Sequence, residues 1–126
     1  MGQALRAGSV MQPVVTEYPN GGKFWKLNGQ RHRVDGPAIE SANGNKKWFY
    51  RGLKHRIGGP AVEWADGRKE WWKNGKRHRI DGPAVEWTDG QKEWHLRGGR
   101  LTFGEWLDQN HKLTVGEKVM YKLQYG

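Results

Sequence analysis

The chain has 126 residues and a net charge of +9, from 22 Lys and Arg against 13 Asp and Glu; that length suits one domain, since chains divide into several cores only beyond roughly 250 residues. Nineteen Gly and only 22 Leu, Ile, Val and Phe point towards disorder, but eight Trp point to a folded chain. No apolar run approaches the ~18 residues of a membrane-spanning helix, and without Cys there is neither a disulfide framework nor a thiolate metal site.

In chain order, residues 1–12 show no period and no apolar run of the kind a secretory leader carries, and are expected to form a flexible segment. With the absence of Cys, this makes a cytoplasmic location the expectation. Residues 13–101 then repeat every 23 residues. Asn28–Glu40, Arg51–Glu63 and Asn74–Glu86 align without a gap, and Trp25, Trp48, Trp71 and Trp94 form one column. His32, His55 and His78 form another.

Each unit reads as two short strands and two turns. Pro-Ala-Val-Glu-Trp (60–64, 83–87) is extended, with Pro at the first strand position, where a missing donor is tolerated. Asp66-Gly67 and Asp89-Gly90 supply positive φ for a tight hairpin. Lys-Glu-Trp-Trp-Lys (69–73) alternates as a strand, and Asn-Gly (74–75) closes a second turn. After residue 101 the period changes. Thr102-Phe-Gly-Glu105 and Thr114-Val-Gly-Glu117 are capping boxes, so a helix is expected to begin at each. Phe103, Trp106 and Leu107 share a face of the first, and Val115, Val119, Met120 and Leu123 make a stripe on the second. The expected fold is therefore mainly β. Antiparallel hairpins stack into a twisted sheet or short solenoid of period 23, and a two-helix cap over residues 102–126 covers one end.

The pattern Trp-x-x-Asn-Gly-x-x-His-Arg-x-Asp-Gly-Pro-Ala-x-Glu-x-x-Asp-Gly, seen whole at 71–90, resembles MORN-type repeats, and most of all the MORN-like variants of phage and bacterial genomes. The resemblance runs from about Val14 to Leu101. It departs from the family in carrying Arg33, Arg56 and Arg79 after the His, where MORN units have Gly, and in the spacing between the two turns. It implies a paired-strand fold, and the lipid binding or partner scaffolding known for some members. A phage-type version implies an inhibitor that occupies the nucleic-acid channel of a host defence complex.

Stacking makes positions one period apart into neighbours roughly 10 Å apart, so each column becomes a rail. The Trp25/Trp48/Trp71/Trp94 rail is expected to form the core, with Trp64 and Trp87 beside Ile39, Val62 and Val85. Lys26, Phe49, Trp72 and His95 run along the opposite strand face, either as an exposed recognition face or half covered by a loop. The clusters at 30–33, 53–56 and 76–79 make a basic edge. Such an edge suits a polyanion, whose phosphates recur and release counterions on binding. It also suits a solvated face that keeps sheet edges apart, and Arg33, Arg56 and Arg79 could equally bond Glu40, Glu63 and Glu86 within their own units.

The His column cannot share one zinc ion at ~10 Å spacing, so no metal or other cofactor is expected. No nucleophile sits near a base, and the Glu column repeats one context three times, whereas an active site is a unique place. The chain thus reads as a non-enzymatic binding module. Its candidate contacts for an anionic macromolecule, nucleic acid or nucleoprotein, are Arg33, Lys54, Arg56, Lys76, Arg77 and Arg79, with Phe49 and Trp72 for stacking. The alternatives are a protein–protein scaffold using the aromatic face and a peripheral binder of anionic lipid.

Overall fold

Two kinds of turn, used alternately, build the molecule, a computed structural model of which describes residues 12–126. The expectation for residues 1–12 therefore lies, Gln12 apart, outside the described residues. At the first kind of turn, Trp64 N–H donates to Arg68 C=O and Gly67 N–H to Trp64 C=O, both at 2.9 Å, with Gly67 at φ +102°. Only the glycine of each Asp-Gly pair is left-handed, so this is a type I turn with a G1 bulge rather than a two-residue hairpin. Asp66 has another task there: its Oδ1 accepts the Arg68 N–H at 2.9 Å. The second kind has positive φ at both central residues, as a type I′ turn needs: Asn28-Gly29, Arg51-Gly52, Asn74-Gly75 and Arg97-Gly98.

The strands between these turns are short. They are β1 (Val14–Glu17), β2 (Lys23–Leu27), β3 (Gln30–Arg31), β4 (Ile39–Glu40), β5 (Lys46–Lys47), β6 (Phe49–Tyr50) and β7 (Leu53–Lys54). Then follow β8 (Val62–Glu63), β9 (Lys69–Glu70), β10 (Trp72–Lys73), β11 (Lys76–Arg77), β12 (Val85–Glu86), β13 (Lys92–Leu96) and β14 (Gly99–Leu101). One antiparallel sheet runs β1-β2-β4-β5-β8-β9-β12-β13-β14, with β3 also paired to β2. Its ends do not meet, so there is no closed barrel. The hairpins β6–β7 and β10–β11 form a second row, in which Gly52 N–H reaches Arg31 C=O and Gly75 N–H reaches Lys54 C=O. Each 23-residue unit thus contributes one hairpin to each row.

Each His ties its unit to the next. His32 Nδ1 accepts the Arg51 N–H, His55 Nδ1 the Asn74 N–H and His78 Nδ1 the Arg97 N–H, at 2.9, 3.1 and 2.9 Å. Those three donors are the left-handed residues of the type I′ turns. Left-handed backbone costs a non-glycine residue roughly 1–2 kcal/mol, and the His bond helps offset it at Arg51 and Arg97.

The core differs from the expected Trp rail. Ala38, Ala61, Ala84, Val62 and Val85 are fully buried along the main sheet, but of the four rail residues only Trp94 is buried. Trp25, Trp48 and Trp71 are half-buried, and among the described residues no helix lies over them as the cap lies over Trp94. A guanidinium covers each instead: Arg33, Arg56 and Arg79 lie 3.8, 3.8 and 3.7 Å from the ring centroids.

Trp94 is buried because the cap covers it. Helices α1 (Phe103–Gln109) and α2 (Val115–Tyr125) start at the N-caps Thr102 and Thr114, each with a complete capping box. Trp94, Leu96, Trp106 and Leu107 make the cluster, with Phe103, Tyr121 and Tyr125 against it. The stripe on α2 does not take part: Val115, Val119, Met120 and Leu123 face outward. The tyrosines of α2 pack instead, and the Tyr121 hydroxyl donates to Asp81 C=O at 2.8 Å.

Candidate functional site: a cationic and aromatic sheet face

The basic edge divides between two faces when the chain is followed residue by residue. After β3, β7 and β11 the strand ends, and Arg33, Arg56 and Arg79 fold back over the tryptophans. The Nη1 of each donates to a proline carbonyl (Pro37, Pro60, Pro83) at 3.0–3.1 Å and to Glu40, Glu63 or Glu86 Oε2 at 3.0–3.2 Å. Nε of Arg33 and of Arg79 also bonds Asp35 and Asp81, both at 2.9 Å. The bond from Arg33 holds the Asp35 carboxyl below its ordinary value. Gly36, Gly59 and Gly82 make the third wall, since a Cβ there would sit 2.9, 2.9 and 2.7 Å from the guanidinium carbon. Each of these three guanidinium groups is thus engaged within its own unit, by ring, carbonyl and carboxylate, rather than left free for the phosphate contact expected of it.

The other predicted residues separate by side of the second-row hairpins. Phe49 pairs across the hairpin with Lys54, and Trp72 with Arg77. Lys26 with Arg31 and His95 with Arg100 are the equivalent pairs in the flanking units. The period therefore lays a basic column, Arg31/Lys54/Arg77/Arg100, beside the column Lys26/Phe49/Trp72/His95. Lys54 Nζ lies 4.5 Å and the Arg77 guanidinium 5.2 Å from the Trp72 ring, and Arg31 lies 5.9 Å from Phe49. Lys76 pairs with Lys73 one position along and so points to the opposite side. Phe49, Trp72, Lys54 and Arg77 are thus brought together, and Lys76 is not.

Charge on this face is uneven along the molecule. At the C-terminal half the buried Glu70 accepts indole N–H bonds from Trp64 at 2.7 Å and Trp72 at 3.0 Å. It also pairs with Arg68 at 3.0 Å and Arg77 at 3.4 Å. Burial opposes ionisation of Glu70, but the two indole bonds and the two guanidinium groups outweigh it and hold the carboxyl below its ordinary value. Glu93 repeats this with His95, Trp87, Arg100 and Arg77, and is held low against burial in the same way.

One unit earlier the Glu70 position is Lys47, whose Nζ lies 5.0 Å from the Trp64 ring, and before that it is Phe24. Among the described residues none of Lys26, Arg31, Lys47 and Lys54 forms an ion pair. Burial, with Lys47 and Arg77 nearby, pushes the Lys54 ammonium below its ordinary value despite Glu70. Four cations without carboxylate partners among the described residues, and the half-buried Phe49, therefore occupy one half of one face. The contacts chosen from the sequence left out Lys26, placed there in the aromatic column, Arg31, placed only within the 30–33 cluster, and Lys47, although Arg31 stands one period before Lys54.

No group of three or more metal-ligating side chains occurs among the described residues, and no helix among them is long and apolar enough to cross a membrane. No protein-family model, curated protein or solved structure matches the chain.

Proposed function

We propose that the protein is a non-enzymatic binding module that presents this face to an anionic macromolecule, a single-stranded nucleic acid or a nucleoprotein that exposes one. The observation that carries the reading is the set Lys26, Arg31, Lys47 and Lys54, gathered around Phe49 without carboxylate partners. Like charges held together destabilise one another, and a phosphate backbone relieves that repulsion while releasing its counterions. Phe49 and Trp72 offer ring surface beside the cations, the combination that lets unpaired bases stack without sequence preference. The likeness of the units to MORN-type repeats supports a binding role, and a phage-type inhibitor of a nucleic-acid-handling defence complex is one form it would take.

The test is fluorescence anisotropy of a labelled oligothymidylate of about 15 nucleotides. Four phosphate contacts to a single strand give a log–log salt slope of about −3, or a loss of about two decades between ~50 and ~300 mM salt. Reversing Lys47 and Lys54 to Glu together should flatten that slope and weaken binding more than about tenfold, whereas Arg56→Lys should leave the slope unchanged. Binding indifferent to salt, or to the Lys47/Lys54 reversal, defeats the reading.

A further inference from the structure

The two ends of the main sheet differ. At one end β14 runs straight into the cap, whereas at the other β1 pairs with β2 and, among the described residues, has no strand on its outer edge. All four residues of β1 are exposed, Val14 at 71% and Val15 at 44%. Tyr18 N–H closes the β1–β2 turn on Gly22 C=O, and the register then sets Thr16 opposite Phe24 and Val14 opposite Lys26. Hydrogen-bonded positions alternate along an antiparallel strand, so Thr16 and Val14 bond β2 while the peptide groups of Val15 and Glu17 point away from the sheet.

Two rows of cross-strand partners run along the sheet and stop at this edge. The first alternates in charge without a break, from Glu17 through Lys23, Glu40, Lys46 and Glu63 on to Lys92. Every later Glu in it has a Lys on both sides, an arrangement that favours pairing, but Glu17 has one such neighbour, Lys23 at 3.4 Å. Glu40, Glu63 and Glu86 are also bonded by an arginine seven residues before them, whereas seven residues before Glu17 the chain has Val10. The second row alternates Trp with a small residue. The Trp25, Trp48 and Trp71 N–H groups donate to Ala38, Ala61 and Ala84 C=O at 2.8, 2.7 and 2.7 Å, and those alanines are fully buried. Val15 holds the alanine position in β1, opposite Trp25, with no strand beyond it among the described residues. Before each alanine strand the chain has Lys-x-Trp, at 23–25, 46–48 and 69–71.

We infer that the outer edge of β1 is a docking site for an extended segment of a partner protein, which adds to the sheet as an antiparallel strand. That segment carries Lys or Arg opposite Glu17 and, two residues on, an aromatic residue opposite Val15, whose backbone N–H donates to Val15 C=O. The charge row calls for the cation, the Trp row for the ring, and Lys-x-Trp gives their spacing. Neither comes from this protein. Residues 1–11 contain no aromatic residue and no Lys, and in a second copy each Lys-x-Trp segment already lies between two neighbouring strands. The site does not rest on the nucleic-acid reading, because Val15 and Glu17 share the face of Trp25 and Lys23 rather than that of Lys26 and Arg31.

The probe is a synthetic peptide of residues 66–74, in which Lys69 would face Glu17 and Trp71 would face Val15. It is titrated into isotopically labelled full-length protein and followed by NMR and amide hydrogen exchange. Docking predicts that the Val15 and Glu17 amides exchange freely in the protein alone and become protected in proportion to occupancy. Nuclear Overhauser contacts should join the peptide's Trp71 ring to the Val15 methyls. Peptides carrying Lys69→Glu or Trp71→Ala should bind at least about fivefold and tenfold more weakly. Glu17→Lys protein, altered at a side chain that is 63% exposed, should lose affinity for the unaltered peptide and recover it for the Lys69→Glu peptide. Three outcomes overturn the proposal. The Val15 and Glu17 amides fail to respond; they are already protected in the free protein, which means that residues 1–11 or a second copy cover the edge; or the charge exchange recovers nothing.

Discussion

The Nδ1 atom of His78 accepts a hydrogen bond from the backbone N–H of Arg97, at 2.9 Å. An accepting Nδ1 carries no proton, so the bond requires the neutral ring. Burial, followed by Lys73 and Arg97, pushes the His78 pKa below its ordinary 6.5. The unfolded chain then takes up the proton first. The contribution to stability is complete above about pH 6.5 and is lost as the pH falls through the lowered value. Glu70 and Glu93, also held below their ordinary 4.5, add a second loss on the acid side of that value. Melting followed by circular dichroism should give a Tm that declines in two stages as pH falls, and His78→Ala should remove the first stage. A Tm independent of pH between about 7 and 5 contradicts the His78 account.

Gly82 lies where a methyl group would meet the Arg79 guanidinium carbon at 2.7 Å. Its φ is not in the left-handed region, so the cost of Gly82→Ala is steric rather than conformational. The substitution should expel Arg79 from Trp71, Pro83 and Glu86 together and cost about 2–3 kcal/mol. Urea denaturation measures this directly. A loss below about 0.5 kcal/mol would show that the arginine has another place to go.

Among the described residues Glu70 is the one buried carboxylate, and it meets two indoles and two arginines. Glu70→Gln keeps an acceptor and removes the charge, leaving Arg68 without a carboxylate and Arg77 with Glu93 alone at 3.9 Å, so stability should fall by about 2–4 kcal/mol. The same change extends the free basic patch towards Trp72, and oligothymidylate affinity at low salt should rise. A parallel fall in both would mean that the face depends on Glu70 for its shape rather than its charge.

Much of this architecture is legible in the chain because a 23-residue period repeats turn chemistry as well as hydrophobicity. Gly67 and Gly90 fall where backbone must be left-handed, and Thr102 and Thr114 mark the two helix starts, since a cap is a local hydrogen-bonding event. The basic rail was harder to read. Arg31 and Arg33 are two residues apart and would share a face in a continuous strand, but β3 ends at Arg31, and Arg33 turns onto Trp25. The α2 stripe misled for a related reason. Val115, Val119, Met120 and Leu123 align on a helix, yet Tyr121 and Tyr125 offer larger rings, and Tyr121 a hydroxyl that meets Asp81 C=O.

The amino-acid sequence alone determined the repeat length, the hairpins, the position of the cap and the net positive charge, because each depends on residues within about one unit of one another. Tertiary structure decided which cations remain without carboxylate partners and which tryptophans are covered. The first outcome depends on which residue the fold sets beside each cation, Glu70 in one unit and Lys47 in the unit before. The second depends on contacts that span more than a unit, since Trp106 bonds Arg79 C=O, Asn110 Ile80 C=O and Tyr121 Asp81 C=O to seat the cap over Trp94, whereas among the described residues Trp48 carries only the Arg56 guanidinium. Similar units thus end in different states, since a side chain's charge and burial follow from what packs against it.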